Sequence, residues 1–199
     1  PGLNSPLVEY HQTVDRSLAA DTLYILTGLY MVDSTFALTI EPGTVVLGDT
    51  GSVLLIDRGA QIHARGTAER PIVFSSNEPV GEREKGDWAG LMILGSAPCN
   101  KVEPAIEGLP QSVTYGGTNP DDDSGELCYV RIEFPGYRIV EGNETNGLTM
   151  GGVGRGTEIH HIQTSRTNDD GYEWFGGTVD ANYLVSWADL DDNFDTDFG

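Results

Sequence analysis

Acidic side chains are concentrated at the end of the chain. From Asp169 to Gly199 the sequence holds nine Asp or Glu residues and no Lys or Arg. Carboxylates held at strand spacing repel one another, so they require protonation or a bound cation. Oxygen ligands suit hard divalent cations, and Ca²⁺ tolerates irregular coordination better than Mg²⁺. The predicted calcium ligands are Asp169, Asp170, Asp191, Asp192 and Asp195.

A second interpretation of the same residues is a ladder of turn-capping Asp side chains that face water. The alternating acids around Asp191 and Asp195 resemble the opening of a calcium loop, but Phe194 stands where an EF-hand loop requires Gly. An EF-hand is therefore excluded, and a calcium site between stacked repeats remains. The acidic turn 119–125 has the same two interpretations, with a plain surface loop favoured.

Catalysis is the competing chemistry. A glycoside hydrolase needs two carboxylates across a groove, and a calcium-dependent polysaccharide lyase needs a basic residue above the acidic proton of its substrate. Asp170 and Asp192 are candidate carboxylates, and Arg166 is a candidate base. We do not find the other motifs of pectin-cleaving hydrolases, nor a GxSxG nucleophile motif. The sequence therefore favours a non-catalytic protein.

The two cysteines, Cys99 and Cys128, are 29 positions apart and lack the spacing of a zinc site. They are either two buried thiols or a disulfide that closes a long loop, and we expect the disulfide. An unstrained bridge of that span would contribute roughly 3–4 kcal/mol. The adjacent His160 and His161 would point to opposite sides of a regular strand, so a shared metal is not expected.

The elements that must position these residues are short strands. Apolar runs of four to six residues recur between Gly, Pro, Asp and Asn, and helical periodicity is nearly absent. The segment 159–177 aligns with 181–199 at an offset of 22, and 146–150 aligns with 170–174 at an offset of 24. In the N-terminal half Ile40, Ile56 and Ile72 indicate a shorter period of 16.

Periods of this length fit one coil of a β-solenoid and are too short for a propeller blade. We predict an all-β, right-handed parallel β-helix with short strands and long inserted loops. Stacking would place Asn146, Asp170 and Asp192 in one polar ladder, with an apolar ladder two positions later. The predicted domains are an irregular segment 1–22 and a β-helix 23–199 that continues beyond residue 199.

Several runs carry a family resemblance. The segments 38–46, 58–68, 71–74, 86–91, 115–117, 129–134 and 143–199 are similar to right-handed parallel β-helix surface proteins secreted by bacteria. The resemblance implies this fold and an extracellular or outer-surface location. No established activity accompanies it. An uncapped last coil would expose strand edges, which would allow self-association through the open end of the solenoid.

Composition limits the partners. The 199-residue chain has a formal charge of −20. Such a surface repels nucleic-acid phosphates and anionic lipid headgroups. No apolar run approaches the roughly 20 residues needed to span a bilayer. The sequence thus predicts a secreted structural or adhesive module, stabilised by calcium, whose partners are carbohydrate or other surface proteins. The alternative is a polysaccharide lyase or glycoside hydrolase on the same scaffold.

Overall fold

The computed structural model describes residues 10–102, 104–106, 109, 112–140 and 143–199. These residues contain strands, turns and bends but no helix. The strands are β1 (Tyr10–Gln12), β2 (Arg16–Leu18), β3 (Leu23–Leu26), β4 (Leu29–Val32), β5 (Ala37–Ile40), β6 (Val45–Gly48), β7 (Val53–Ile56), β8 (Gln61–Arg65), β9 (Ile72–Ser76), β10 (Gly90–Leu94), β11 (Gly125–Glu133), β12 (Arg138–Val140), β13 (Asn143–Glu144), β14 (Leu148–Gly151), β15 (Glu158–Ser165), β16 (Tyr172–Phe175), β17 (Ala181–Asn182), β18 (Val185–Trp187) and β19 (Phe194–Asp197).

The strands wind into coils with three faces. The first face is a parallel sheet in the order β1-β4-β7-β10-β14-β16-β19. The second and third faces belong to one larger sheet, in which β8 and β9 both pair with the long strand β11. Each coil visits the three faces in turn before the chain returns to the first. This arrangement confirms the predicted parallel β-helix.

The bend between the second and third faces is made by residues with positive φ. Tyr129, His161 and Tyr183 have φ of 50°, 54° and 56° and occupy equivalent positions in successive coils. Positive φ is uncommon for residues other than Gly and turns the chain sharply. The long strands β11 and β15 therefore each serve two faces.

Strand registers confirm the two longer repeats. Tyr172 pairs with Phe194 at the offset of 22, and Leu148 pairs with Tyr172 at the offset of 24. The 16-residue period is wrong as a coil length, because Ile40, Ile56 and Ile72 lie in β5, β7 and β9 on three different faces. The 16-residue spacing therefore corresponds to a step of two faces. A full coil here is 24 residues long, as the pairing of β5 with β8 shows.

The core fills the inside of the solenoid with ladders of apolar side chains. On the first face Leu54, Leu91 and Leu148 lie in register and are almost fully buried. The ring of Tyr172 continues this ladder and stacks on Phe194, with 5.3 Å between ring centroids. Burial of such side chains contributes roughly 1.5–3 kcal/mol each, so these ladders hold the coils together.

A second apolar cluster lies on the outer side of the first face. Ile106, Val113 and Tyr115, from the long insertion between β10 and β11, pack with Met92 and Leu94. The insertion thus covers the middle of this outer surface. A second insertion carries the antiparallel pair β12 and β13. Both are long inserted loops of the kind that the sequence predicts.

The solenoid begins earlier than the sequence suggests. β1 pairs with β4 and β2 pairs with β5, so residues 10–22 already supply the first two faces of a coil, while residues 1–9 of the predicted irregular segment lie outside the described residues. At the other end Phe194 is 51 % exposed. Within the described ranges no helix is long and apolar enough to cross a bilayer.

Candidate functional site

The turn before the first face contains a polar ladder that crosses three coils. Asn146 Oδ1 accepts a hydrogen bond from the backbone N–H of Asp170 at 3.3 Å. Asp170 Oδ1 accepts one from the backbone N–H of Asp192 at 2.8 Å. Backbone bonds from Gly147 to Asp170 O and from Gly171 to Asp192 O run beside them, each 2.9 Å long. The predicted ladder of Asn146, Asp170 and Asp192 is confirmed.

Two groups of carboxylates converge on this ladder. Asp169, Asp170 and Asp191 each offer an oxygen, and these oxygens lie within 4.8 Å of one another. Asp170, Glu173 and Asp195 form a second group with the same spacing. The two groups share the partly buried Asp170, so five carboxylates form two adjoining groups. We call these five residues the acidic turn.

Burial sets the electrostatics of the acidic turn. Asp170 is only 9 % exposed, and this desolvation raises the pKa of its carboxyl to about 6. The backbone N–H of Asp192 opposes the shift, while the charges of Asp195, Asp191 and Asp192 add to it. A carboxyl that resists ionisation for these reasons gains from a nearby cation.

An open groove of about 340 Å³ adjoins the acidic turn. Asp169 and Asp191 line it together with Arg138 and Glu144 from the second insertion. Arg138 Nε lies 2.7 Å from Glu144 Oε1, so this cation already has a carboxylate partner. The groove gives solvent, and hence an ion, access to the turn.

The structure brings four of the five predicted calcium ligands into the two groups and leaves out one. Asp169, Asp170, Asp191 and Asp195 belong to the two groups. Among the described residues Asp192 joins neither group and supplies its backbone N–H instead. The sequence did not single out Glu173 as a ligand, although its register opposite Asp195 follows from the 22-residue repeat.

The candidate base Arg166 has a packing role. Its guanidinium carbon lies 5.7 Å from the centre of the Phe134 ring and 5.4 Å from that of the Trp187 ring. Both contacts are cation–π interactions. The guanidinium therefore lies between aromatic rings from the two neighbouring coils. The candidate catalytic Asp170 is engaged too, in the backbone hydrogen bond to the next coil.

The other acidic turn, 119–125, is packed between coils. Asp122 is 7 % exposed and accepts hydrogen bonds from Ser96 Oγ at 2.6 Å and Ser124 Oγ at 3.3 Å. Asp123 Oδ1 accepts the backbone N–H of Gly125 at 2.8 Å. The turn is therefore more than the plain surface loop that the sequence favours. Its Asp side chains make hydrogen bonds that hold the backbone in place just before β11.

The disulfide prediction is wrong, because Cys99 and Cys128 are free thiols. Cys99 lies in the first insertion beside the apolar cluster on the outer side of the first face. Cys128 lies in β11 on the second face. The two thiols therefore belong to different faces of the solenoid.

Sequence reasoning missed the surroundings of Cys128. Its Sγ lies 3.3 Å from His160 Nε2, and the same nitrogen lies 2.8 Å from Glu158 Oε1. Burial raises the pKa of the Cys128 thiol to about 11. The signal was available, because aligning β11 with β15 places Cys128 opposite His160.

The two histidines do not point to opposite sides of their strand. His161 has a positive φ, and its Nδ1 lies 2.8 Å from Nδ1 of His160. Its ring stacks between those of Tyr129 and Tyr183, with centroid distances of 4.4 Å and 4.5 Å. The regular-strand geometry assumed for the pair fails at this bend. The three stacked rings line an open groove of about 390 Å³ together with Arg131 and Gln163.

Comparison with known proteins defines the class. Residues 9–199 match the model of the pectate-lyase-like beta-helix domain family. The chain belongs to this family, in agreement with its parallel coils. No curated protein and no solved structure matched the chain.

Proposed function

We propose that this β-helix is a non-catalytic structural module whose C-terminal coils are cross-linked by Ca²⁺ at the acidic turn. The observation that carries the proposal is the convergence of Asp169, Asp170 and Asp191 oxygens within 4.8 Å. Ca²⁺ takes six to eight oxygen ligands in flexible geometry. Carboxylates from two successive coils, completed by water from the groove, meet that requirement.

The cross-link has a mechanical consequence. Asp169 and Asp170 precede β16, whereas Asp191 lies in the following coil. An ion bound to all three joins two coils that otherwise meet through backbone hydrogen bonds and side-chain packing. It also neutralises charge in the segment 169–199, which contains no Lys or Arg. We expect calcium to stiffen this end of the solenoid.

We also propose that the module acts outside the cell and binds carbohydrate or surface proteins. The family match and the charge of −20 support this location. The groove beside Tyr129, His161 and Tyr183 combines aromatic rings with the polar side chains of Arg131 and Gln163, a combination suited to sugars. Fractionation of the producing cells tests the location, and recovery in the cytoplasm would refute it.

The alternative function is cleavage of an acidic polysaccharide, by a polysaccharide lyase or a glycoside hydrolase on the same scaffold. Two of its candidate residues have structural partners here: Arg166 contacts two aromatic rings and Asp170 binds the next coil. Assays on acidic polysaccharides with the intact protein and the Asp170→Ala and Asp192→Ala variants test this alternative. Turnover that both variants abolish without unfolding would replace the structural proposal.

Calcium titration calorimetry tests the leading proposal. The intact chain should bind Ca²⁺, and Asp191→Asn should weaken binding at least tenfold. Asp180→Asn is the matched control, because Asp180 lies in the same acidic segment, is exposed and belongs to neither group. Absence of calcium binding, or equal losses in both variants, would contradict the proposed site.

A further inference from the structure

The outer surface of the second face carries a cluster that the calcium proposal does not use. Cys128 in β11 lies opposite His160 in β15, and Glu126 lies opposite Glu158. On the other side, Cys128 lies opposite Arg65 in β8. Side chains two positions apart in a strand share a face, so these residues converge on one patch.

The contacts within the patch centre on three potential metal ligands. Cys128 Sγ, His160 Nε2 and a Glu158 oxygen all lie within 4.8 Å of one another. His160 Nε2 is 3.3 Å from the sulfur and 2.8 Å from Glu158 Oε1. A single N–H cannot donate well to two acceptors at once. One metal ion among the three atoms would satisfy all of them.

We propose that Cys128, Glu158 and His160 form a zinc site on the second face. Zn²⁺ accepts thiolate, imidazole and carboxylate ligands at about 2.0–2.3 Å in tetrahedral geometry, and this triangle offers one ligand of each kind. A water molecule or a ligand atom would take the fourth position. Sulfur and nitrogen ligands select Zn²⁺ over Ca²⁺, which prefers oxygen.

Binding involves no redox change. The Cys128 S–H bond breaks, a Zn–S bond forms, and the proton passes to the buffer. His160 binds through Nε2 as a neutral imidazole. Glu158 is already ionised, because hydrogen bonding to His160 and Arg65 lowers its pKa. Thiolate and carboxylate together balance the two charges of the ion.

Outer contacts already orient the ligands. His160 Nδ1 lies 2.8 Å from His161 Nδ1, and the His161 ring stacks on Tyr129. Arg65 Nη2 lies 2.6 Å from Glu158 Oε2 and also contacts Glu126. Such contacts fix ring orientation and ligand geometry around metals. The side chains of His160 and Glu158 are 24 % and 48 % exposed, so an ion can enter from solvent.

Cobalt substitution tests the proposal on the intact chain. Co²⁺ replaces Zn²⁺ in such sites, and a cysteine ligand produces a sulfur-to-cobalt charge-transfer band. We expect one equivalent of Co²⁺ to produce this band, and added Zn²⁺ to remove it. Cys128→Ser should lose the band. Cys99→Ser should keep it, because Cys99 lies on a different part of the solenoid.

Two further variants keep the test decisive if the buried Cys128 tolerates no change. Glu158→Gln, at a half-exposed position, should weaken zinc binding at least about tenfold. His160→Ala should do the same, while its control His11→Ala, in β1 on the first face, should not. No charge-transfer band in the intact protein, or a band that persists in Cys128→Ser, would overturn the proposal. So would unchanged zinc affinity in both Glu158→Gln and His160→Ala.

Discussion

Asp170 accepts the backbone N–H of Asp192 in the next coil through Oδ1, at 2.8 Å. One coil earlier, Asn146 makes the equivalent bond to the backbone N–H of Asp170. The ladder therefore works with either an amide or a carboxylate. A neutral side chain suffices for the structural role, so the charge of Asp170 needs another reason. The proposed calcium ion would provide one.

Replacing Asp170 by Asn separates these two roles. In chelator at pH 7, Asp170→Asn should be more stable than the intact protein, because the amide keeps the bond to Asp192 and removes a buried charge. The pKa shift from 3.8 to about 6 sets the upper limit of the gain at roughly 3 kcal/mol. Denaturant unfolding measures it. A variant less stable than the parent in chelator would contradict this account.

The pH dependence of stability follows from the same group. The raised pKa of Asp170 means that the folded state holds its proton more tightly than the unfolded state. The free energy of unfolding should therefore fall as pH rises from about 4 to about 6 in chelator. Asp170→Asn should lack this component, as measured by unfolding at several pH values. Equal pH profiles for the two proteins would exclude Asp170 as the titrating group.

The buried hydroxyl of Tyr172 ties the first face to the third. Its single proton lies within hydrogen-bond reach of the carbonyl oxygens of Ile162 at 2.8 Å and Val185 at 3.0 Å, and its oxygen accepts the N–H of Thr164 at 3.2 Å. Tyr172→Phe leaves these buried groups without that partner and should cost about 1–3 kcal/mol. Tyr183→Phe, at an exposed ring, is the control. Equal free energies of unfolding in the two variants would refute this role.

Gly125 shows where a coil admits no side chain. Its φ is +102°, and an added Cβ would lie 2.1 Å from the carbonyl oxygen of Ile62. Gly81 has a similar φ of +98° but nothing within 4 Å. Gly81→Ala should cost about 1–3 kcal/mol from backbone strain. Gly125→Ala should cost several kcal/mol more in thermal unfolding, and a similar loss in both would contradict the close packing.

The fold was predictable because its coils repeat. Equivalent positions such as Tyr172 and Phe194 share chemistry at a fixed offset, and the register confirms that offset. The N-terminal coils misled the prediction, since inward Ile residues recur on every second face and imitate a shorter coil. The extra residues 10–22 were missed because their strands are only three residues long.

The site was predictable only in part. The acids at 169–170 and 191 follow from the repeat, and the same repeat places Glu173 opposite Asp195, although the sequence alone did not mark Glu173 as a ligand. The disulfide was predicted from loop length and composition, neither of which reports the face on which a cysteine lies. The alternation of side chains along a strand does not predict the positive φ of His161. The contact between His160 and His161 therefore could not be predicted from the sequence.

Thermal unfolding of the intact chain at pH 7, with Ca²⁺ or with chelator, tests the central claim most directly. Binding to the folded state alone stabilises by roughly 2.7 kcal/mol when calcium exceeds its Kd about 100-fold. For a chain of this size the melting temperature should rise by roughly 5–10 °C. Asp170→Asn should lose most of this rise, and Asp180→Asn should keep it. A melting temperature that calcium leaves unchanged would contradict the calcium cross-link.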